Sequence, residues 1–269
     1  MARGSSRFWL WTAPVALGAV AAVILGAGFV LALRGAAGEP IGEPAPPVRA
    51  VAPTPPPGGV RRVLVIGDSL ARGTGDESGR GFAGDVVDAL RQRGKAELVN
   101  LGVNGMESPE IRGIAESANV KNVAASASLI LVSAGANDLS HSAGRPGAAP
   151  TEVADAIAAT RKSYVENLRA ILTALRASNP TAPIGVIGLY DPFSSGPFGD
   201  GIGSGRLGAE VIVQWNALVA ATALAFPGVF IVPTFDLFQG REDRLSADKY
   251  HPNKEGYEMI AQRILQVVR

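Results

Sequence analysis

A serine follows a run of apolar β-formers in VLVIGDSLARGTG, residues 63–75, and a histidine follows an aspartate at a spacing of three in Asp248-Lys249-Tyr250-His251-Pro252. A serine hydroxyl is a poor nucleophile until a positioned base removes its proton as it attacks. Histidine suits that task, because it can take the proton and later give it to a leaving group. A carboxylate three residues before the imidazole can meet it within one turn, fix its tautomer and stabilise the imidazolium. The oxyanion formed on attack needs donors aimed at it. The backbone N–H groups of Ser69 and Gly105 and the side-chain amide of Asn137 are the candidates. They come from Gly67-Asp68-Ser69-Leu70, Asn100-Leu101-Gly102-Val103-Asn104-Gly105 and Gly135-Ala136-Asn137-Asp138.

These segments do chemistry only if the fold gathers them. From Val60 onward the sequence alternates strand and helix patterns. Short apolar runs at Val63–Ile66, Glu97–Asn100, Ser128–Ser133, Ile184–Leu189 and Val229–Pro233 suit strands covered on both faces of a parallel sheet. The clearest helix runs from Thr151 to Ala177, with Val153, Ile157, Tyr164, Leu168, Ile171, Leu172 and Leu175 on one face, and Asn179-Pro180 stops it. A final helix begins near Asn253. Five strands with intervening helices predict an α/β domain, a three-layer flavodoxin-like sandwich with a five-stranded, mainly parallel sheet. In such folds reacting groups collect beyond the C-terminal ends of the strands, where Ser69 is expected.

Each signal also has a plain structural reading. Serine after a strand is commonly a helix cap, and Asn137-Asp138 also reads as a turn. Asp68 is expected to bond backbone at its own turn rather than serve as a second acid. Asp138-Leu139-Ser140-His141 repeats the Asp-x-x-His spacing and makes His141 a rival base. It precedes a Gly-, Ala- and Pro-rich stretch, 142–150, whereas His251 is mounted between Asp248 and Pro252 ahead of a helix. Gly102 competes with Gly105 as the oxyanion glycine. The GxGxxG match at Gly203–Gly208 lies too far beyond its strand to hold a dinucleotide. The stretch 194–208 reads as a loop over the site.

Taken in order, GDSL, NxGxxG, GxND and DxxHP resemble the SGNH/GDSL hydrolase superfamily over about Val63–Val268. The resemblance implies Ser69 as nucleophile, His251 as base, Asp248 as its orienting acid, and Ser69, Gly105 and Asn137 as oxyanion donors. It implies neither metal nor organic cofactor. Tyr190-Asp191-Pro192-Phe193 is similar to a subgroup of Gram-positive lipase/esterase-like members with N-terminal anchors.

Composition narrows the partners. The chain carries 25 Lys+Arg against 24 Asp+Glu, and residues 1–62 hold six of the former and two of the latter. The remaining 19 bases and 22 acids offer no electrostatic footprint for nucleic acid. With no cysteine, disulfides, thiolate catalysis and cysteine-ligated zinc are excluded, and two histidines disfavour a multi-histidine metal site. Phe8–Leu33 is a run of 26 uncharged residues, long enough as a helix of roughly 39 Å to cross a ~30 Å hydrocarbon core. Arg3 and Arg7 precede it, which places the N-terminus in the cytoplasm and the bulk outside. A cleaved signal peptide, ending near Gly35-Ala36-Ala37, is the alternative. The expected organisation is a membrane anchor at 1–34, a Pro-rich tether at 35–60 with eight prolines in residues 35–59, and a hydrolase domain at 61–269.

The expected activity is hydrolysis of acyl esters of lipid, lysophospholipid or short-chain type. A carbohydrate or cell-wall O-acetylesterase on the same triad, and a non-catalytic envelope-binding module, are the alternatives.

Overall fold

Val63 and Val65 must face one way along β1 and Leu64 and Ile66 the other, so a strand apolar at every position needs cover on both sides. A computed structural model, which describes residues 59–143, 149–192 and 205–268, shows that cover. The elements are β1 (Arg61–Gly67), α1 (Ser69–Arg72), α2 (Gly81–Arg91), β2 (Ala96–Gly102), α3 (Ser108–Glu116), α4 (Ala118–Ala125), β3 (Leu129–Ser133), α5 (Ala136–Ala143) and α6 (Pro150–Ser178). They continue with β4 (Ile184–Ile187), α7 (Gly205–Ala223), β5 (Val229–Val232), α8 (Phe235–Phe238) and α9 (Lys254–Val267). The strands form one parallel sheet in the order β2-β1-β3-β4-β5.

Leu64, Ile66, Ile130, Val132, Ile184 and Val186 pack on one face against Tyr164, Leu168 and Leu172 of α6 and Trp215 and Val219 of α7. Val63, Val65, Leu129, Leu131 and Val232 pack on the other against Phe82 and Val86 of α2 and Tyr257, Ile260 and Ile264 of α9. Each fully buried large apolar side chain stabilises the fold by about 1.5–3 kcal/mol. The sandwich is therefore three-layered, and all its described strand pairs are parallel. β2 departs from the expected pattern: it is an edge strand, none of its residues is fully buried, and it extends beyond Glu97–Asn100 at both ends. The expected loop at 194–208 also ends earlier, because α7 begins at Gly205. Residues 193–204 lie outside the described residues.

The anchor expected at 1–34 and nearly all of the tether at 35–60 likewise lie outside them. Among the described residues no helix is long and apolar enough to cross a membrane.

Topology prepares the site. The chain leaves β1 for an outer position at β2, then returns past β1 to β3, so the crevice between diverging connections opens above β1. Gly67 is the register partner of Gly102 on β2 and of Ser133 on β3, so three chain segments leave the sheet at one level. Gly67 has φ +147°, and a Cβ there would lie 2.1 Å from the Ser133 carbonyl oxygen. Gly67→Ala is therefore expected to destabilise the protein by about 3 kcal/mol, through backbone strain and overpacking together. Urea unfolding of the variant against the parent reads that loss.

Candidate active site

Ser69 stands two residues past the end of β1, as the first residue of α1. Asp68 precedes it as helix cap: its Oδ1 accepts from the Leu70 N–H at 3.0 Å and from the Ser133 hydroxyl at 2.7 Å. Asp68 is buried, and that burial raises its pKa despite the pull of those donors. Its bonds go to the turn and to β3. Gly73, with φ +89°, ends the short helix.

His251 arrives from the opposite direction along the chain. Its Nε2 lies 2.9 Å from the Ser69 Oγ, and its Nδ1 lies 2.6 Å from the Asp248 Oδ2. A carboxylate only accepts, so Nδ1 carries the proton and Nε2 presents its lone pair to the serine hydroxyl. Asp248 is itself fixed: its Oδ1 accepts from the Ser246 hydroxyl at 2.7 Å and from the N–H groups of Tyr250 and His251 at 2.9 Å each. Lys249, at φ +58°, makes the tight turn that folds the carboxylate back toward the imidazole. Burial pushes the Asp248 carboxyl up, but the donors from His251, Ser246 and the two backbone groups outweigh it and hold it well below the usual carboxylate range.

The turn has its own mount. The Ser246 N–H donates to the His251 carbonyl at 2.8 Å, and Leu245 and Pro252 form an antiparallel bridge. Asn253 caps α9 by accepting from the Gly256 N–H at 3.0 Å and ties back to the Asp243 carbonyl at 2.7 Å. From the end of β4, the Tyr190 hydroxyl donates to the Tyr250 carbonyl at 2.8 Å. On the serine side, Gly75 (φ +95°) lets the chain after α1 pass beneath the imidazole, since a Cβ there would come within 2.8 Å of the His251 Cβ.

The remaining sequence candidates flank β1. Gly105 follows β2 and Asn137 opens α5 after β3, so they lie past the ends of the two strands adjacent to the serine's own. Gly105 is exposed, has φ +78°, and has open space around its Cα. Gly102 differs: a Cβ there would lie 2.3 Å from the Arg72 backbone nitrogen, so that glycine serves the packing of β2 under α1. Asn137 donates from Nδ2 to the Met106 carbonyl at 2.8 Å, which ties the start of α5 to the loop carrying Gly105.

His141 is not joined to the serine. It sits in α5, its side chain 67% exposed, and its Nδ1 pairs with Glu107. Asp138, three residues before it, turns inward to Ser108 and does not meet the ring. The second Asp-x-x-His is thus two separate contacts. Sequence reading missed Ser246 and Tyr190, which hold the Asp248–His251 turn. Ser246 precedes Asp248 by two residues, a spacing that allows a side-chain bond, whereas nothing in sequence links Tyr190 to Tyr250. Among the described residues no group of three or more His, Asp or Glu converges as a metal site requires.

Asp248 binds a proton less readily in the folded chain than in the unfolded one. It therefore contributes stability above the ordinary carboxylate pKa of about 3.9, and loses it as pH falls from there toward its lowered folded value. The stability gap between the parent and Asp248→Asn is expected to be narrower at about pH 3 than at about pH 6. Urea midpoints at the two pH values measure it, and a gap of constant width refutes the linkage.

Comparison with known proteins follows the same outline. The chain is 26% identical over 215 residues to the uncharacterized protein YpmR of Bacillus subtilis strain 168, covering 77% of this chain and 81% of that one. The lipase Lip_vut3 from a goat rumen metagenome superposes with a TM-score of 0.65 at 21% identity, over 77% of this chain and 97% of its own. The acetylxylan esterase Axe2 of Geobacillus stearothermophilus gives 0.56 at 18% identity, over 78% and 96%. A family 3 carbohydrate esterase of Clostridium thermocellum gives 0.54 at 18%, over 77% and 94%. These structures share the fold. The profile of the GDSL-like Lipase/Acylhydrolase family matches residues 65–259, well over half of the sequence and inclusive of the four segments that carry Ser69, Gly105, Asn137 and His251, and the chain belongs to that family.

Proposed function

We propose that this chain is a serine esterase that cleaves acyl esters through an acyl-enzyme. The observation that carries the reading is the unbroken line from Asp248 through His251 to Ser69, with contacts of 2.6 and 2.9 Å. Ser69 Oγ attacks the ester carbonyl while His251 Nε2 takes its proton. Asp248 keeps the ring oriented and stabilises the imidazolium. The carbonyl oxygen, now an oxyanion, is met by the N–H groups of Ser69 and Gly105 and by the Asn137 amide, which retains a second N–H beyond the one given to Met106. Collapse of the tetrahedral species breaks the bond to the alcohol, which leaves with the proton from His251. Water, deprotonated by the same imidazole, then attacks the acyl-Ser69 ester, and the acyl–Oγ bond breaks to release the acid as His251 returns that proton to Ser69 Oγ.

Lipid, lysophospholipid and short-chain esters all fit this chemistry. An O-acetyl group on a carbohydrate or cell-wall polymer fits it equally, and the resembling folds include both a lipase and acetylxylan esterase. The apolar run at Phe8–Leu33 and the proline-rich tether support placing the domain outside the cell membrane, held by an N-terminal helix or released by cleavage. A purely binding role has no use for an oriented base on a hydroxyl, and the Asp248–His251–Ser69 line weighs against it.

p-Nitrophenyl esters of graded chain length provide the assay. Ser69→Ala and His251→Ala are each expected to lower kcat by roughly a million-fold, the scale of other serine triads. Asn137→Ala is expected to cost about a hundred- to a thousand-fold. His141→Ala should leave kcat within about three-fold, because its ring is solvent-exposed and paired with Glu107. Turnover that survives loss of His251 but not of His141 overturns the assignment.

A further inference from the structure

The end of the loop between β2 and α3, together with the first residue of α3, is fastened to α5 at three successive residues. The Met106 carbonyl accepts from Asn137, the Glu107 side chain pairs with His141, and the Ser108 N–H donates to the Asp138 Oδ2 at 3.0 Å. The Ser108 hydroxyl donates to the other oxygen of the same carboxylate and accepts from the Asn167 Nδ2 of α6 at 3.1 Å. Asp138 is 4% exposed and Ser108 fully buried, so these are interior bonds, where geometry is held most firmly and an unpaired group costs most. The Glu107–His141 pair is exposed, and solvent weakens it. Asp138 is thus the strong point of the fastening. It belongs to none of the steps described above.

We propose that Asp138 is a positioning residue: through Ser108 it fixes the Gly105 loop against the first turn of α5, and so sets the distance between two oxyanion donors that come from different strands. The inference rests on the esterase reading above. The two donors share no element. Gly105 hangs beyond β2 as an exposed glycine with positive φ and open space around it, and the bonds of Val103 and Asn104 just before it run to Gly67 and Thr74, not to α5. Asn137 is carried by α5. A displacement of about 1 Å between groups that must close on one oxygen is enough to cost on the order of a hundred-fold in rate. The residue adjacent to Asn137 bonding the residue three beyond Gly105 is the shortest buried tie between those two supports.

Asp138→Asn, Ser108→Ala and the double variant test this in the intact chain. Each single variant is expected to lower kcat on p-nitrophenyl acetate by about ten- to a hundred-fold with KM within about three-fold. The acid limb of kcat/KM should stay where it is in the parent, because the Asp248–His251–Ser69 line is untouched. The Ki of a trifluoromethyl ketone, which Ser69 adds to so that an oxyanion forms in the pocket, should rise by the same factor as kcat falls. The double variant should be no worse than the poorer single by more than about three-fold, since both changes break one link. Amide hydrogen exchange over residues 103–107 should accelerate in both single variants, a readout independent of turnover. Unchanged kcat, losses that multiply in the double, a moved acid limb, or unchanged exchange in that loop would each overturn the proposal. If the parent hydrolyses no ester while exchange accelerates in both variants, the esterase reading falls and the fastening stands.

Discussion

A hydroxyl attacks a carbonyl at neutral pH only where its proton has a destination, and in the proposed reaction that destination is one lone pair on His251. The contact between His251 Nε2 and Ser69 Oγ joins positions 182 residues apart. Much of the architecture can be read as what is needed to keep it. The parallel sheet puts the end of β1 at the level of its neighbours. On one face α9, packed with α2, anchors the chain that follows the turn at 246–251. The turn at 246–251 then aims the imidazole down onto the serine. A sheet whose strands ended at different levels would leave the same residues scattered.

Two aspartates next to the reacting pair show how environment divides labour between identical groups. Asp68 is buried and receives two donors, and desolvation wins, so its carboxyl is harder to ionise than usual. Asp248 is half-exposed and surrounded by four donors, and the donors win, so it stays ionised far into acid. A permanent negative charge is what an imidazole needs beside Nδ1 if it is to become cationic in the transition state. Asp68, one position from Ser69, is buried, and its Oδ1 is taken up by the Leu70 N–H and the Ser133 hydroxyl. It organises the turn. The two carboxyls are thus shifted in opposite directions, by burial on one side and by donors on the other.

What the sequence disclosed follows from the same physics. β1, β3, β4 and β5 were legible because burial on both faces forces an unbroken apolar run. β2 was legible only in its middle, since an edge strand has less to bury and Ala96 and Gly102 carry little signal. The long α6 announced itself through spacing, whereas the start of α7 was hidden in glycine, Gly203-Ser204-Gly205, that reads as loop. Ser69 and His251 could be named from local motifs, and the mount between Asp248 and Pro252 favours His251 over His141; both follow an aspartate by three, and in space only His251 meets it. The motif alone favours Gly105 over Gly102, with only three residues between them. In space the two differ: Gly102 is pressed against Arg72 and Gly105 is open. Ser108 and Asp138, thirty residues apart, share no spacing that would pair them.

The apolar core supplies most of the stability but touches the reacting atoms only indirectly. The loops that carry Gly105, Asp248 and His251 are short of large apolar side chains, and packing alone cannot fix them to a fraction of an ångström. They are fixed instead by polar ties: Asn137 to Met106, Ser246 to Asp248, Tyr190 to Tyr250, Asn253 to Asp243. Hydrogen bonds suit this task because they are directional, whereas apolar contact constrains volume more than angle. Each such bond adds only about 0.5–1.5 kcal/mol to folding, so the ties contribute modestly to holding the chain together. Their worth lies in the order of events. In the proposed reaction His251 already touches Ser69 before any ester arrives, so less reorganisation is left for the moment when charge moves onto the carbonyl oxygen. Precision at the top of the sheet is thus a property of the polar residues there, carried by a core that supplies rigidity without direction.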